Sequence, residues 1–140
     1  MKSLKQGYGV AGVLLVLCFA GCASLGEGVK GVAGVSTKIL VDGRKDALSK
    51  TFDYDYTTSN AKVLEVLDEV KAYIYAKDAF DHLIAVYVSD KDTTPVGIFL
   101  KAIDANKTQI EISSPSTYAK EWMAGKIFTA FDESLKNQLK

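Results

Sequence analysis

Residues 6–25 carry no charge, and Lys2 and Lys5 stand just ahead of them. The densest apolar part of this stretch, Val10 to Ala20, is 11 residues long and ends on the small residues Ala20-Gly21. A basic start, an apolar run of about 7 to 15 residues and small residues at its end together form a secretory signal. A helix needs about 20 mostly apolar residues to cross the hydrocarbon core of a bilayer. Here that length is reached only by stretching the run from Tyr8 to Leu25, which takes in several glycines and both cysteines. An uncleaved membrane anchor is the alternative reading. Residues 1–21 are thus expected to be a leader, and the 119 residues that follow allow one small domain.

Cys22 directly follows Phe19-Ala20-Gly21. This resembles the lipobox of bacterial lipoproteins, in which an apolar residue and two small ones precede the Cys that is lipidated and becomes the mature N-terminus. Ala20 and Gly21 match that pattern, whereas Phe19 stands where Leu is usual. Cys18 does not fit it, because bulky Leu17 would occupy the position before the cleaved bond. The resemblance implies a diacylglycerol in thioether linkage on Cys22 and a further acyl chain, such as palmitate, on its amino group. It also implies the membrane as a partner through this lipid anchor. Because Ala23 rather than Asp follows the Cys, it implies delivery to the outer membrane, with the folded part facing the periplasm. The alternative is that Cys22 is one more small apolar residue of the signal.

Charge narrows the function classes. The 17 basic and 17 acidic side chains of the full chain become 15 and 17 once Lys2 and Lys5 leave with the leader. A nucleic-acid binder would show a basic excess or a clustered basic face, so no nucleic-acid partner is expected. High apolar content and low net charge argue against disorder. One His and two Cys cannot furnish the usual multi-ligand zinc centre, and neither a metal nor another cofactor is expected.

From Ala23 to about Val35 the chain is rich in Gly, Ala and Val, and repeated Gly costs a helix about 1 kcal/mol per position relative to Ala. A lipidated N-terminus and flexible tether is expected over 22–46, with a short strand at Lys38 to Val41 closed by the turn Asp42-Gly43. The alternative is that Val29, Val32 and Val35 pack loosely on the domain. The domain itself is expected over 47–140. Phe52, Tyr54 and Tyr56 alternate with polar residues, as on one face of a strand. Ser59 is the expected N-cap of a helix from Asn60 to Ala72, whose apolar stripe is Val63, Leu64, Leu67 and Val70. Strands are expected at Tyr73 to Ala76, Leu83 to Val88, Val96 to Ile103 and Gln109 to Ser113. Ser114-Pro115-Ser116 then opens a helix from Thr117 to about Lys136, with Tyr118, Trp122, Ile127, Phe128, Phe131 and Leu135 on one broad face. This order gives an α+β fold: a two-layer sandwich, with an antiparallel sheet of four to five strands carrying two helices on one face.

The stretch from Leu48 to Lys136 resembles a family of small bacterial lipoproteins of unknown function. Phe52-Asp53-Tyr54 leads into Val63-Leu64-Glu65-Val66-Leu67, and a β-meander and terminal helix follow. More remotely, the topology is similar to the helix-grip domains of the BamC lipoprotein in the outer-membrane barrel-assembly machinery. No motif in the resemblance identifies a chemistry.

Candidate sites in the residues themselves are few. Trp122, Phe128 and Phe131 are candidates for a groove that holds a small apolar ligand between sheet and terminal helix, although such a stripe is more often core. His82 is a candidate pH-sensitive group at a turn. Asp78 and Asp81, or Asp90 and Asp92, could offer carboxylates to calcium but lack the spacing and internal Gly of a calcium loop. Asp53 and Asp55 share a strand face, an arrangement that also serves as edge protection. With no second His and no Cys left for a nucleophile, neither catalytic residues nor enzyme activity are expected. The leading expectation is an envelope lipoprotein that acts through protein contacts, for which exposed strand faces and sheet edges are the candidate surface. A binder of a small apolar ligand is the alternative.

Overall fold

The computed structural model describes residues 36–140. The leader, Cys22 and the Gly-rich tract up to Val35 lie outside the described residues. The described residues form one compact unit, in which the chain runs through α1 (Lys38–Asp42), a single 3-10 turn (Gly43–Asp46), β1 (Leu48–Phe52), α2 (Tyr56–Glu69), β2 (Tyr73–Asp78), β3 (Leu83–Tyr87), β4 (Pro95–Asp104), β5 (Lys107–Ser113) and α3 (Thr117–Gln138).

The five strands form one antiparallel sheet in the order β1-β5-β4-β3-β2. β2 to β5 is a meander, and α2 carries the chain from the β1 edge to the opposite edge at β2. Strand periodicity decides which side chains meet the helices. Ile84 and Val86 of β3, Val96, Ile98 and Leu100 of β4, and Ile110 and Ile112 of β5 form one core with Val63, Val66 and Leu67 of α2 and Met123, Ile127 and Phe131 of α3. This is the α+β two-layer sandwich that the element order predicts.

Lys38–Asp46 departs from expectation. It is neither a strand nor a tether but a helical turn pair lying on the other face of the sheet. Leu40 is fully buried there with Leu83, Ala85 and Phe99, and its carbonyl accepts a hydrogen bond from Ser113 Oγ at 2.8 Å. Gly97 makes the close approach feasible: a Cβ there would stand 3.0 Å from Leu40 Cβ. Arg44 pairs with Glu111 at 2.7 Å and lies over the Phe99 ring at 4.3 Å. All nine of these helical and turn residues thus pack with the domain expected to start at 47. Leu83 to Val86 are all buried because β3 is covered on both faces at this point.

The alternation of Phe52, Tyr54 and Tyr56 also breaks earlier than expected. Phe52 and Tyr54 are buried, but β1 ends at Phe52 and Tyr56 already opens α2. Asp55, not Ser59, is the N-cap: its carboxylate accepts from Thr58 N at 2.9 Å and from the Thr58 hydroxyl at 2.6 Å. Such a cap satisfies an N–H that the helix itself cannot.

Candidate functional site

α3 begins where Ser116 accepts a hydrogen bond from Ala119 N, while Ser114 Oγ donates to the Pro95 carbonyl at 2.7 Å and so ties the helix start to β4. The face turned to the sheet is Ala119, Met123, Ala124, Ile127 and Phe131. Of the expected stripe, Ile127 and Phe131 are buried and Trp122, Phe128 and Leu135 are half-buried against the same core, while the small residues Ala119 and Ala124 take the closest positions. Tyr118, in the first turn, departs from the expected stripe and is 72% exposed. On the β1 side, Lys50 pairs with Asp132 at 2.7 Å, and Lys120 Nζ donates to the Asp46 carbonyl.

Between α2 and α3, on the solvent side of the helical layer, lie two adjoining depressions of about 260 and about 510 Å³. They share Glu69, Ala130 and Glu133. Lys62, Glu65 and Val66 complete the smaller one, with Phe131 at its base. The larger is bordered by Glu121, Trp122, Gly125 and Lys126. The side chains of Glu65, Glu69, Glu121 and Glu133 make no ion pair or hydrogen bond among the described residues. The two lysines face aromatic rings: Lys126 lies 5.7 Å from the Trp122 ring, and Lys62 lies 5.4 Å from Tyr54 and 5.9 Å from Phe131.

The three aromatics expected to share a ligand groove are placed differently. Phe131 is fully buried, its ring 4.6 Å from Phe52 and 5.7 Å edge-on to Tyr54. Phe128 is half-buried and lies 5.7 Å from Phe52. Phe52, Phe128 and Phe131 therefore fill the space between sheet and α3 with one another. Trp122 alone of the three borders the larger depression, which opens between the helices.

Several of the remaining titratable groups are engaged locally. The exposed His82 sits at φ 51°, and its Nδ1 is 3.2 Å from the Tyr56 hydroxyl. Asp78 accepts the N–H groups of Phe80 and Asp81, which is a turn role. Asp92 accepts from the hydroxyl and N–H of Thr94, and these bonds hold its carboxyl below the usual carboxylate value. The Thr58 hydroxyl, followed by the Thr58 N–H, does the same for Asp55. Asp53 lies 3.9 Å from Lys107. Among the described residues no three His, Cys, Asp or Glu side chains are grouped so as to hold a metal ion.

The second face of the sheet carries a further aromatic group. Tyr73 and Tyr75 each stack on Tyr87, at 6.1 and 4.4 Å. Burial raises the Tyr75 phenol above its ordinary value, with the neighbouring Tyr87 adding to the shift. Its hydroxyl is enclosed without a hydrogen-bond partner.

Sequence reasoning missed the inter-helix groove. Its signals were present in Gly125, a glycine inside a long helix, and in Glu65 and Glu69, like charges at i and i+4. No family model matches the chain, and no curated protein matches it.

Proposed function

We propose that this chain is a lipid-anchored lipoprotein of the bacterial envelope, held to the outer membrane by acyl chains on Cys22, whose folded part acts through contacts with another envelope protein and catalyses no reaction. The observation that carries the reading is the position of Cys22 directly after Ala20-Gly21, at the end of an apolar run too short to span a bilayer. Each buried methylene of an acyl chain contributes about 0.8 kcal/mol, so one chain binds marginally while two or three anchor durably. The domain then needs no membrane-crossing element of its own. Its carboxylates include ones held in turns, in a helix cap or in ion pairs, and ones that stand open on the helical layer, an arrangement suited to contact rather than to acid–base work.

Cell fractionation tests this. The parent chain is expected in the outer-membrane fraction, and the Cys22→Ser chain is expected to lose that association. Recovery of the parent in the soluble fraction, or identical membrane association of the variant, would overturn the proposal.

A further inference from the structure

Two features of the groove between α2 and α3 have no use within the described domain, and a third, Trp122, packs against the core yet is only half-buried. The first is Gly125, near the middle of the 22-residue α3. Gly in a helix interior is costly relative to Ala. A Cβ at Gly125 would meet nothing within 4 Å, so neither packing nor a positive φ calls for the glycine. The second is charge. Glu65 and Glu69 repel at i and i+4, and Glu69 lies in the last turn of α2, where the helix dipole disfavours an anion and no basic residue compensates. Glu121 and Glu133 bring two more carboxylates from α3, while Lys62 and Lys126 lie over rings instead of beside the acids. The third is Trp122, half-buried at the rim. Trp is the residue most often found to anchor a partner.

We propose that this groove receives a cationic amphipathic helix of a partner protein. Its backbone approaches α3 over Gly125 and Ala130, its apolar side chains cover Trp122, and its Lys or Arg side chains meet Glu69, Glu121 and Glu133. From Glu121 to Glu133 α3 advances about 18 Å, which matches about three turns of a docked helix. A helix suits the site because its apolar stripe can seat in a groove bordered by two helices. A bare glycine lets its axis come close, and positive flanks relieve the uncompensated repulsion. This inference rests on the reading of the domain as a contact module and names the kind of partner it takes.

Trp122 is the one tryptophan of the chain and reports on the groove directly. The full-length protein is titrated with a synthetic amphipathic helix of Lys, Leu and Ala, and with the same peptide carrying Glu in place of Lys. The cationic peptide is expected to shift Trp122 emission to the blue, with at least about ten-fold tighter half-saturation than the acidic one and weakening with salt. Gly125→Leu, which fills the floor, and the pair Glu69→Lys with Glu133→Lys are each expected to weaken it at least about ten-fold, with circular dichroism of both variants matching the parent. If a variant misfolds, Gly125→Ala, which favours the helix, keeps the test open with a smaller loss. Equal response to both peptides, or a response untouched by Gly125→Leu, would overturn the inference. So would a concentration-dependent dimer lost in Gly125→Leu, which assigns the groove to a second copy. A stronger Trp122 shift with phosphatidylglycerol vesicles than with peptide would also overturn it. The identity of the mature N-terminus bears on the anchor alone, so failure of the peptide titration and failure of the lipoprotein reading are distinguishable.

Discussion

Leu40→Ala tests whether the helical turn pair ahead of β1 is part of the domain. Leu40 is fully buried against Leu83, Ala85 and Phe99, whereas its neighbour Ile39 is 46% exposed. Truncating a buried Leu costs about 2.7 to 5 kcal/mol, and the lower part of that range applies where the site can collapse. α1 is a surface element of five residues, too short to be stable alone, and can settle toward the bare Gly97. About 3 kcal/mol is therefore expected from packing. Weakening of the bond from Ser113 Oγ to the Leu40 carbonyl adds about 1 kcal/mol. For a domain of about 100 residues a loss of 3 to 4 kcal/mol lowers Tm by roughly 12 to 16 °C. Urea unfolding followed through Trp122 is the assay of choice, since that residue sits in α3, in the layer on the opposite side of the sheet. A global midpoint that falls as calculated means that α1 folds with the core. Ile39→Ala is the control and is expected to cost less than about 1 kcal/mol. If the two variants behaved alike, or if Leu40→Ala left the Trp122 midpoint unchanged, the assignment of Lys38–Asp46 to the domain would be refuted.

Three other outcomes follow from single residues. Because the hydrogen bonds from Thr58 depress the folded pKa of Asp55, its contribution is present above the ordinary carboxylate value and is lost as pH falls through the folded value. Asp55→Asn is expected to flatten the acid limb of stability against pH, read from urea midpoints between neutral and strongly acidic solution. Tyr75 has a raised folded pKa, so the parent loses stability as pH rises past the ordinary phenol value. Tyr75→Phe, which also removes an enclosed hydroxyl without a partner, is expected to be no less stable at neutral pH and to lose less in alkaline melts. Gly125→Ala places a methyl group in open space and is expected to raise stability by about 0.5 to 1 kcal/mol in the same unfolding assay.

How much of this was legible from residues varied along the chain. The meander was plain because the apolar residues of β3 to β5 recur as a sheet requires and the turns Ser89 to Thr94 and Ala105-Asn106 interrupt them. The start of α2 was misplaced because Phe52 and Tyr54 continue to point into the core after β1 has ended, so side-chain alternation outlasts the strand. The cap at Asp55 with Thr58 three residues on was the local sign of the boundary. Lys38 to Val41 reads as a strand because Lys-Ile-Leu-Val is too short for its period to be told. What makes it a docked helix is the space left by Gly97, far away in sequence. In α3 the large apolar residues mark the packed side, with Tyr118 the exception, but Ala119, Met123 and Ala124 at its centre carry too little hydrophobic weight to be singled out by pattern. The groove escaped notice for a related reason. It arises where two helices meet, and no single segment displays it.

The central claim is that Cys22 is the lipidated N-terminus of the mature protein, and intact-mass and N-terminal peptide analysis of protein purified from bacterial membranes tests it most directly. The account predicts a chain starting at Cys22, heavier than the 119-residue polypeptide by a diacylglycerol and an amide-linked acyl chain. An unmodified Cys22 with the leader still attached would contradict it.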